Sequence, residues 1–288
     1  MKRLAVIAPL LLACMACKKD EAPPPAASAT AGPSSGGAPA SSPSVASAAA
    51  TMTVRPPSDV VPVAGGELRV TPIHHATLLL EIDGRALYFD PVHDTTYDGL
   101  PKAHVVFVTD IHGDHMDPAG IEAVRQPGTV VVAPPAVAEQ LPKSLSHVEV
   151  LRNGEKKTIA GAADDSWGVE VEAVPMYNLT RGPKPGALYH DKGRGNGYVL
   201  TLGGKRVYVS GDTECTPEMK ALRGIDVAFV CMNLPYTMPP SEAATCVNAF
   251  KPKVLYPYHY RQSNLDELTA AIPAGSGVEV RRRDWYAR

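Results

Sequence analysis

From residue 67 onward the apolar positions come in short β-branched and aromatic runs, broken every few residues by Gly, Pro or Asp. This rhythm predicts strands at 67–71, 77–82, 86–89, 105–109, 129–132, 148–151, 169–174, 197–202, 206–210, 227–231 and 254–258. Helical signals are fewer. Asp117-Pro118 pairs an N-cap acceptor with a first-turn proline and predicts a helix through Arg125; Thr216-Pro217 and the segment around Ser241-Glu242 repeat that start, and Pro252 stops the helix ending near Phe250. No repeat of fixed period is visible by eye. Many strands with interspersed helices over residues 57–288 predict one α/β domain with mixed sheets, its helices covering the outer faces.

The front of the chain follows another pattern. Lys2-Arg3, an apolar run from Leu4 to Ala13 and small residues up to Cys17 have the layout of a signal peptide over residues 1–17, too short to span a bilayer. Leu11-Leu12-Ala13-Cys14 resembles a bacterial lipobox, whose cysteine is lipidated and becomes the first mature residue. Cys14 fits better than Cys17, since Leu11 suits the position three before cleavage; an ordinary cleaved signal is the alternative. Residues 18–56 read as a disordered tether, because 27 of the 30 residues from Glu21 to Ala50 are Ala, Ser, Pro or Gly and cannot bury enough apolar surface to offset their ordering entropy. The expectation is an exported protein, lipid-anchored to a bacterial membrane surface and facing the periplasm.

Composition narrows the classes further. With a formal net charge of -2 and no basic block beyond Arg281-Arg282-Arg283, the chain lacks the cationic footprint of a nucleic-acid binder. Five cysteines among 288 residues are too few for a disulfide scaffold. Cys215, Cys231 and Cys246 remain in the domain with their pairing open, Cys215 reading more readily as a buried thiol than as a group near a metal.

The densest chemistry is Thr109-Asp110-Ile111-His112-Gly113-Asp114-His115-Met116-Asp117, directly after the apolar run 105–108. Asp110, His112, Asp114 and His115 are four metal-capable side chains within six positions. A buried strand running into a loop lets Asp110 and His112 converge on one ion while Asp114 and His115 turn to a second.

This segment resembles the H-x-H-x-D-H signature of the metallo-β-lactamase superfamily, with Asp110 where the first histidine is usual. Pro175-Met176-Tyr177-Asn178 with His190 and Gly193-Arg194-Gly195-Asn196-Gly197-Tyr198, then Ser210-Gly211-Asp212-Thr213, then Tyr256-Pro257-Tyr258-His259, resemble its later motifs in order. Ile73-His74-His75-Ala76-Thr77 and Asp90-Pro91 are similar to the opening of the branch of ascorbate-6-phosphate lactonase-like and N-acyl-phosphatidylethanolamine phospholipase D-like hydrolases. The resemblance implies a four-layer αββα sandwich of two mixed β-sheets flanked by helices. It also implies one metal held by Asp110, His112 and His190, a second held by Asp114, His115 and His259, and Asp212 bridging them. His75 is expected to act through a hydrogen bond to a ligand, and His74, His93, His104 and His147 to be surface or structural.

Two divalent ions, zinc before manganese or iron, would make hydroxide available near neutrality for attack on an ester, lactone, amide or phosphodiester of a small-molecule substrate. Asp212, with Asp114, would orient that hydroxide, His75 would line the site, and Tyr177, Tyr258 or Tyr260 could donate to the developing oxyanion. Two divalent ions, three aspartates and hydroxide sum to zero charge, which favours a neutral substrate. A metal-binding sensor or interaction module without turnover is the alternative, fed by the substitution at Asp110. Removing Met1 to Thr51 is expected to leave a soluble, cooperatively melting domain of unchanged metal content; loss of cooperative melting would show that this segment packs on the domain.

Overall fold

A computed structural model describes residues 55–161 and 164–287. The signal and most of the tether expected above lie outside the described residues. Within them, fourteen strands form two seven-stranded sheets.

The first sheet holds β1 (Asp59–Val63), β2 (Gly66–His74), β3 (Thr77–Ile82), β4 (Arg85–Phe89), β5 (Ala103–Phe107), β6 (Arg125–Ala133) and β7 (Val148–Val150), in chain order. The second holds β8 (Lys156–Gly161), β9 (Asp164–Met176), β10 (Gly195–Leu202), β11 (Lys205–Val209), β12 (Val227–Cys231), β13 (Val254–Tyr258) and β14 (Glu279–Val280), also in chain order. Strands β1 to β4 pair antiparallel and β4 to β7 parallel; β8 to β11 and β11 to β14 repeat that arrangement. The sequence shows no repeat, yet the topology occurs twice.

Alternation explains the layers. Leu78, Leu80, Val105, Phe107, Val130 and Val132 face the core shared by the two sheets, while Leu79, Val106, Val108 and Val131 pack outward with Ile121 and Val124 of α1 (Pro118–Val124) and Val137 of α2 (Pro135–Ala138). The second sheet is covered by α3 (Pro217–Lys220), α4 (Pro240–Phe250) and α5 (Leu265–Ala271), through buried residues such as Met219, Val247 and Leu268. Each fully buried Leu, Val or Phe contributes about 1.5 to 3 kcal/mol. The result is the expected αββα sandwich.

The helix starts follow their caps: Asp117 accepts from Ala119 N and Thr216 from Met219 N. Three strands escaped the sequence reading. β1 contains Pro62, β8 opens on Lys156-Lys157-Thr158, and β14 has only two residues. Among the described residues no helix is long and apolar enough to cross a membrane.

The three arginines at 281–283 are spent on ion pairs with Glu279, Asp266 and Asp59. Cys215 is no free thiol. It is bonded to Cys246, joining the segment after β11 to α4, and Cys231 is a buried free thiol. For a sequence separation of 31 residues, loop closure gives the cross-link about 3 to 4 kcal/mol. Replacing Cys215 and Cys246 together by Ala is therefore expected to lower the melting temperature by roughly 10 °C; an unchanged melt would contradict this.

Candidate metal centre

The polar cluster is assembled at strand ends. Asp90 follows β4, the 109–117 loop follows β5, Asn178 lies two residues past β9, Asp212 follows β11 and His259 follows β13; His75 sits in the turn between β2 and β3. Four non-glycine residues here, His75, Asp90, His259 and Arg261, have positive φ, of 52, 45, 47 and 44°. Such conformations cost energy for residues with a Cβ and persist where the surroundings over-determine them. Gly211, at φ 61°, is where a Cβ would meet the Met176 sulfur at 2.5 Å, so only glycine lets the chain turn toward Asp212 there.

Among the described residues, three groups of ligand-type atoms lie within 4.8 Å of one another: Asp110, His112 and His190; His115, Asp212 and His259; and His75, Asp114 and His259. Asp110 Oδ2 is 2.8 Å from His112 Nδ1 and 3.8 Å from His190 Nε2. Asp212 stands between the groups. Its Oδ2 is 3.4 Å from both His115 Nε2 and His190 Nε2, and its Oδ1 is 3.4 Å from His259 Nε2. His259 Nε2 also lies 3.5 Å from Asp114 Oδ2 and 3.2 Å from His115 Nε2.

A second ring of residues holds these side chains. Asp90 accepts from Thr109 N and Thr109 Oγ1 at 2.8 and 2.7 Å and faces His115 Nδ1 at 2.8 Å, so the opposite nitrogen of His115 is aimed into the cluster. Asn178 Oδ1 lies 2.6 Å from His190 Nδ1 and accepts from His190 N, while its amide donates to Glu214. Arg194 grips Asp110 with two parallel hydrogen bonds, Nε to Oδ1 and Nη2 to Oδ2, both 3.0 Å.

Electrostatics shows what the cluster requires. Burial raises the Asp90 carboxyl above its usual range despite His115. For Asp110 burial also works upward, but the His112 hydrogen bond and the charges of His115, Arg194 and His190 outweigh it and hold the group below that range. Asp212 is held well below its range: burial opposes, and the charges of His259 and His115 prevail. Burial opposes a charged His115, yet Asp212 and Asp90 hold it well above the ordinary imidazole range.

Four carboxylates thus meet with one permanent cation, Arg194, in direct contact. A buried carboxylate without compensation costs several kcal/mol, so this donor set calls for more positive charge. His190 Nε2 and Asp212 Oδ1 are buried, lie inside the cluster and have no hydrogen-bond partner. Imidazole nitrogens and carboxylate oxygens in this ratio suit divalent transition ions, so the residues fit such a group.

All seven positions expected to bind metal are brought together. Tyr177 donates to Glu218 and Tyr260 donates to the Arg283 carbonyl, so their hydrogens are spent away from the cluster. Tyr258 is fully buried and its oxygen accepts from Gly211 N at 2.9 Å, which props the Gly211-Asp212 backbone.

His74, expected to be peripheral, lines a cleft of ≈ 910 Å³ beside His75 and Asp114, whose walls include Leu234, Tyr236, Arg261 and Tyr286. Sequence reasoning missed Arg194, Asn178 and Tyr286. The first two lay inside quoted motifs, where an unusual acidic residue at position 110 was the signal to look for a nearby cation. Tyr286 carried no signal.

The comparisons with known proteins bear on family and fold. A family described as "Beta-lactamase superfamily domain" matches residues 80–260. The UPF0173 metal-dependent hydrolase of Thermococcus kodakarensis is 31% identical over 206 residues, 67% of this chain and 84% of the relative; that of Methanopyrus kandleri is 29% identical over 205 residues, with the same coverage. A crystal structure from Parabacteroides distasonis, assigned as a metal-dependent hydrolase, superposes with TM-score 0.71 at 40% identity, covering 81% of this chain and all of that one. A metallo hydrolase from Ignicoccus hospitalis, 22% identical, shares the fold at TM-score 0.62 over 76% of this chain and 96% of its own. The chain therefore belongs to the metallo-β-lactamase superfamily, among its UPF0173 metal-dependent hydrolases.

Proposed function

We propose that the chain is an exported, dinuclear metallohydrolase. In this reading Asp110, His112 and His190 would hold one divalent ion and Asp114, His115 and His259 the second, with Asp212 contributing to both sites. The observation that carries this reading is the place of Asp212, whose carboxylate lies 3.4 Å from His115, His190 and His259 together. Such ions, zinc before manganese or iron, supply Lewis acidity and an acidified water. The chain's own residues do the rest: Asp212 and Asp114 orient the attacking water and accept its proton, Asp90 and Asn178 fix the imidazoles, and the walls of the cleft orient the substrate.

Arg194 adds one positive charge beside Asp110 and Asp90 adds one negative charge behind His115, so the balance of two divalent ions, Asp110, Asp114, Asp212 and hydroxide stays near zero and a neutral substrate remains favoured. The cleft lining combines apolar surface, with Leu234 49% and Tyr236 40% exposed, with the Arg261 cation. An ester, lactone, amide or phosphodiester with an apolar arm fits these walls. Export and lipid anchoring at Cys14 toward the periplasm follow from the leader pattern, and the Cys215–Cys246 bond supports an oxidising compartment.

The test is hydrolysis of a panel of lactones, carboxyl esters and phosphodiesters by chelator-stripped protein before and after adding zinc, manganese or iron. Turnover is expected to appear only with metal and to fall on the order of 100-fold or more in Asp212→Asn. Asp110→Ala is expected to drop the metal content from about two toward one. Metal bound without turnover on any substrate would favour the sensor alternative, and two tightly held metals in Asp110→Ala would remove Asp110 from the ligand set.

A further inference from the structure

Several candidate ligands of the centre have a holder: Arg194 for Asp110, Asp90 for His115, Asn178 for His190. Asp114 is the most exposed of the four carboxylates, at 37% for its side chain, and so the one with most freedom to rotate. Its holder is His75, whose Nε2 lies 3.1 Å from Asp114 Oδ2. His75 is in turn held by the far end of the chain, 211 residues away.

That end is built in. The Trp285 ring is fully buried, edge-on to Phe229 and Tyr258 at 6.3 and 5.6 Å between centroids, and its carbonyl accepts from His75 N at 2.9 Å. Arg283 pairs with Asp59, and its carbonyl accepts from Tyr260 Oη at 3.0 Å. With the backbone pinned on both sides, Tyr286 is delivered to the cleft wall. Its ring meets Tyr260 edge-on at 5.1 Å.

We propose that Tyr286 is a positioning residue of the metal centre, fixing the tautomer and orientation of His75 so that His75 holds Asp114 ready to bind. The proposal rests on the dinuclear reading above. Donor counting makes the assignment. The Tyr286 oxygen accepts from Arg261 N at 2.6 Å, leaving its own hydrogen for His75 Nδ1 at 3.0 Å. A Nδ1 that accepts leaves the ring proton on Nε2, and Nε2–H then donates to Asp114 Oδ2. The backbone is shaped for this chain of bonds: two of its members, His75 and Arg261, have left-handed φ, and His259 N donates to the His75 carbonyl at 3.3 Å. The last residues of the sequence thus belong to the site as much as the ligand loop does.

The experiment uses the full zinc-loaded chain and reads zinc affinity by competition with a chelator. Tyr286→Phe keeps the ring but removes the donated hydrogen. One of the two zinc affinities is expected to weaken by about 10 to 100-fold, with the melting temperature unchanged and the ¹⁵N resonances of His75 moved away from a single Nε2–H tautomer. Tyr88→Phe, which loses a bond to the Pro101 carbonyl in the outer cluster of the first sheet, is expected to leave affinity unchanged. In a His75→Gln background, where the amide can reach Asp114 without help, Tyr286→Phe should add nothing.

Wild-type zinc affinity in Tyr286→Phe, or an undiminished Tyr286→Phe loss in the His75→Gln background, would overturn the proposal while leaving the dinuclear centre intact. A wild-type chain that takes up no metal would overturn the metal reading itself, and this proposal with it.

Discussion

Asp90, Asp110, Asp114 and Asp212 are drawn into one place by strands of two different sheets, and three of them are buried there. Like charges at this spacing repel, and removing them from water costs more still, so the gathering stands only if positive charge is supplied at the same spot. Much of the surrounding architecture answers that demand. Arg194 crosses from the loop before β10 to clamp Asp110, and His115 is held between Asp90 and Asp212. Two divalent ions would complete the balance, and the left-handed backbone at His75, Asp90 and His259 is tolerated around the same point.

The fold makes the gathering possible by using one topology twice. In each sheet an antiparallel meander passes into parallel strands, and the parallel half delivers its polar residues just past strand C-termini: Asp90 and the ligand loop from the first sheet, Asp212 and His259 from the second. The sheets meet there, where Asn196 N donates to the Thr109 carbonyl at 2.9 Å. Tyr198 Oη reaches across to the Val108 carbonyl at 2.8 Å. These bonds fix the two halves of the ligand set relative to each other, which a metal site needs within fractions of an ångström.

Much of this was legible in the sequence, for physical reasons. β-branched runs and proline-started helices are local signals, so eleven strands and three helix starts could be placed, and the density of Asp and His in the 109–117 segment marked the ligand loop. What was lost is non-local. β8 is polar on both faces of its first turn, and α2 begins at Pro134-Pro135, which reads as loop. The Cys215–Cys246 bond depends on how α4 lies across the second sheet. Arg194 was visible but its partner was not, since that pairing spans 84 residues, and Tyr286 owes its place to Trp285 anchoring in the core. A charge contributed from elsewhere in the chain, positive at Arg194 or negative at Asp90, shows its partner only once the chain is folded.

The central claim is that two ions share the Asp212 carboxylate, one on the Asp110 side and one on the Asp114 side. Anomalous diffraction from crystals of the zinc-loaded protein, collected on either side of the zinc absorption edge, tests it most directly. The account predicts two anomalous peaks, one among Asp110, His112 and His190 and one among Asp114, His115 and His259, each within bonding distance of Asp212. A single peak, with Asp110 bound to Arg194 alone, would contradict it.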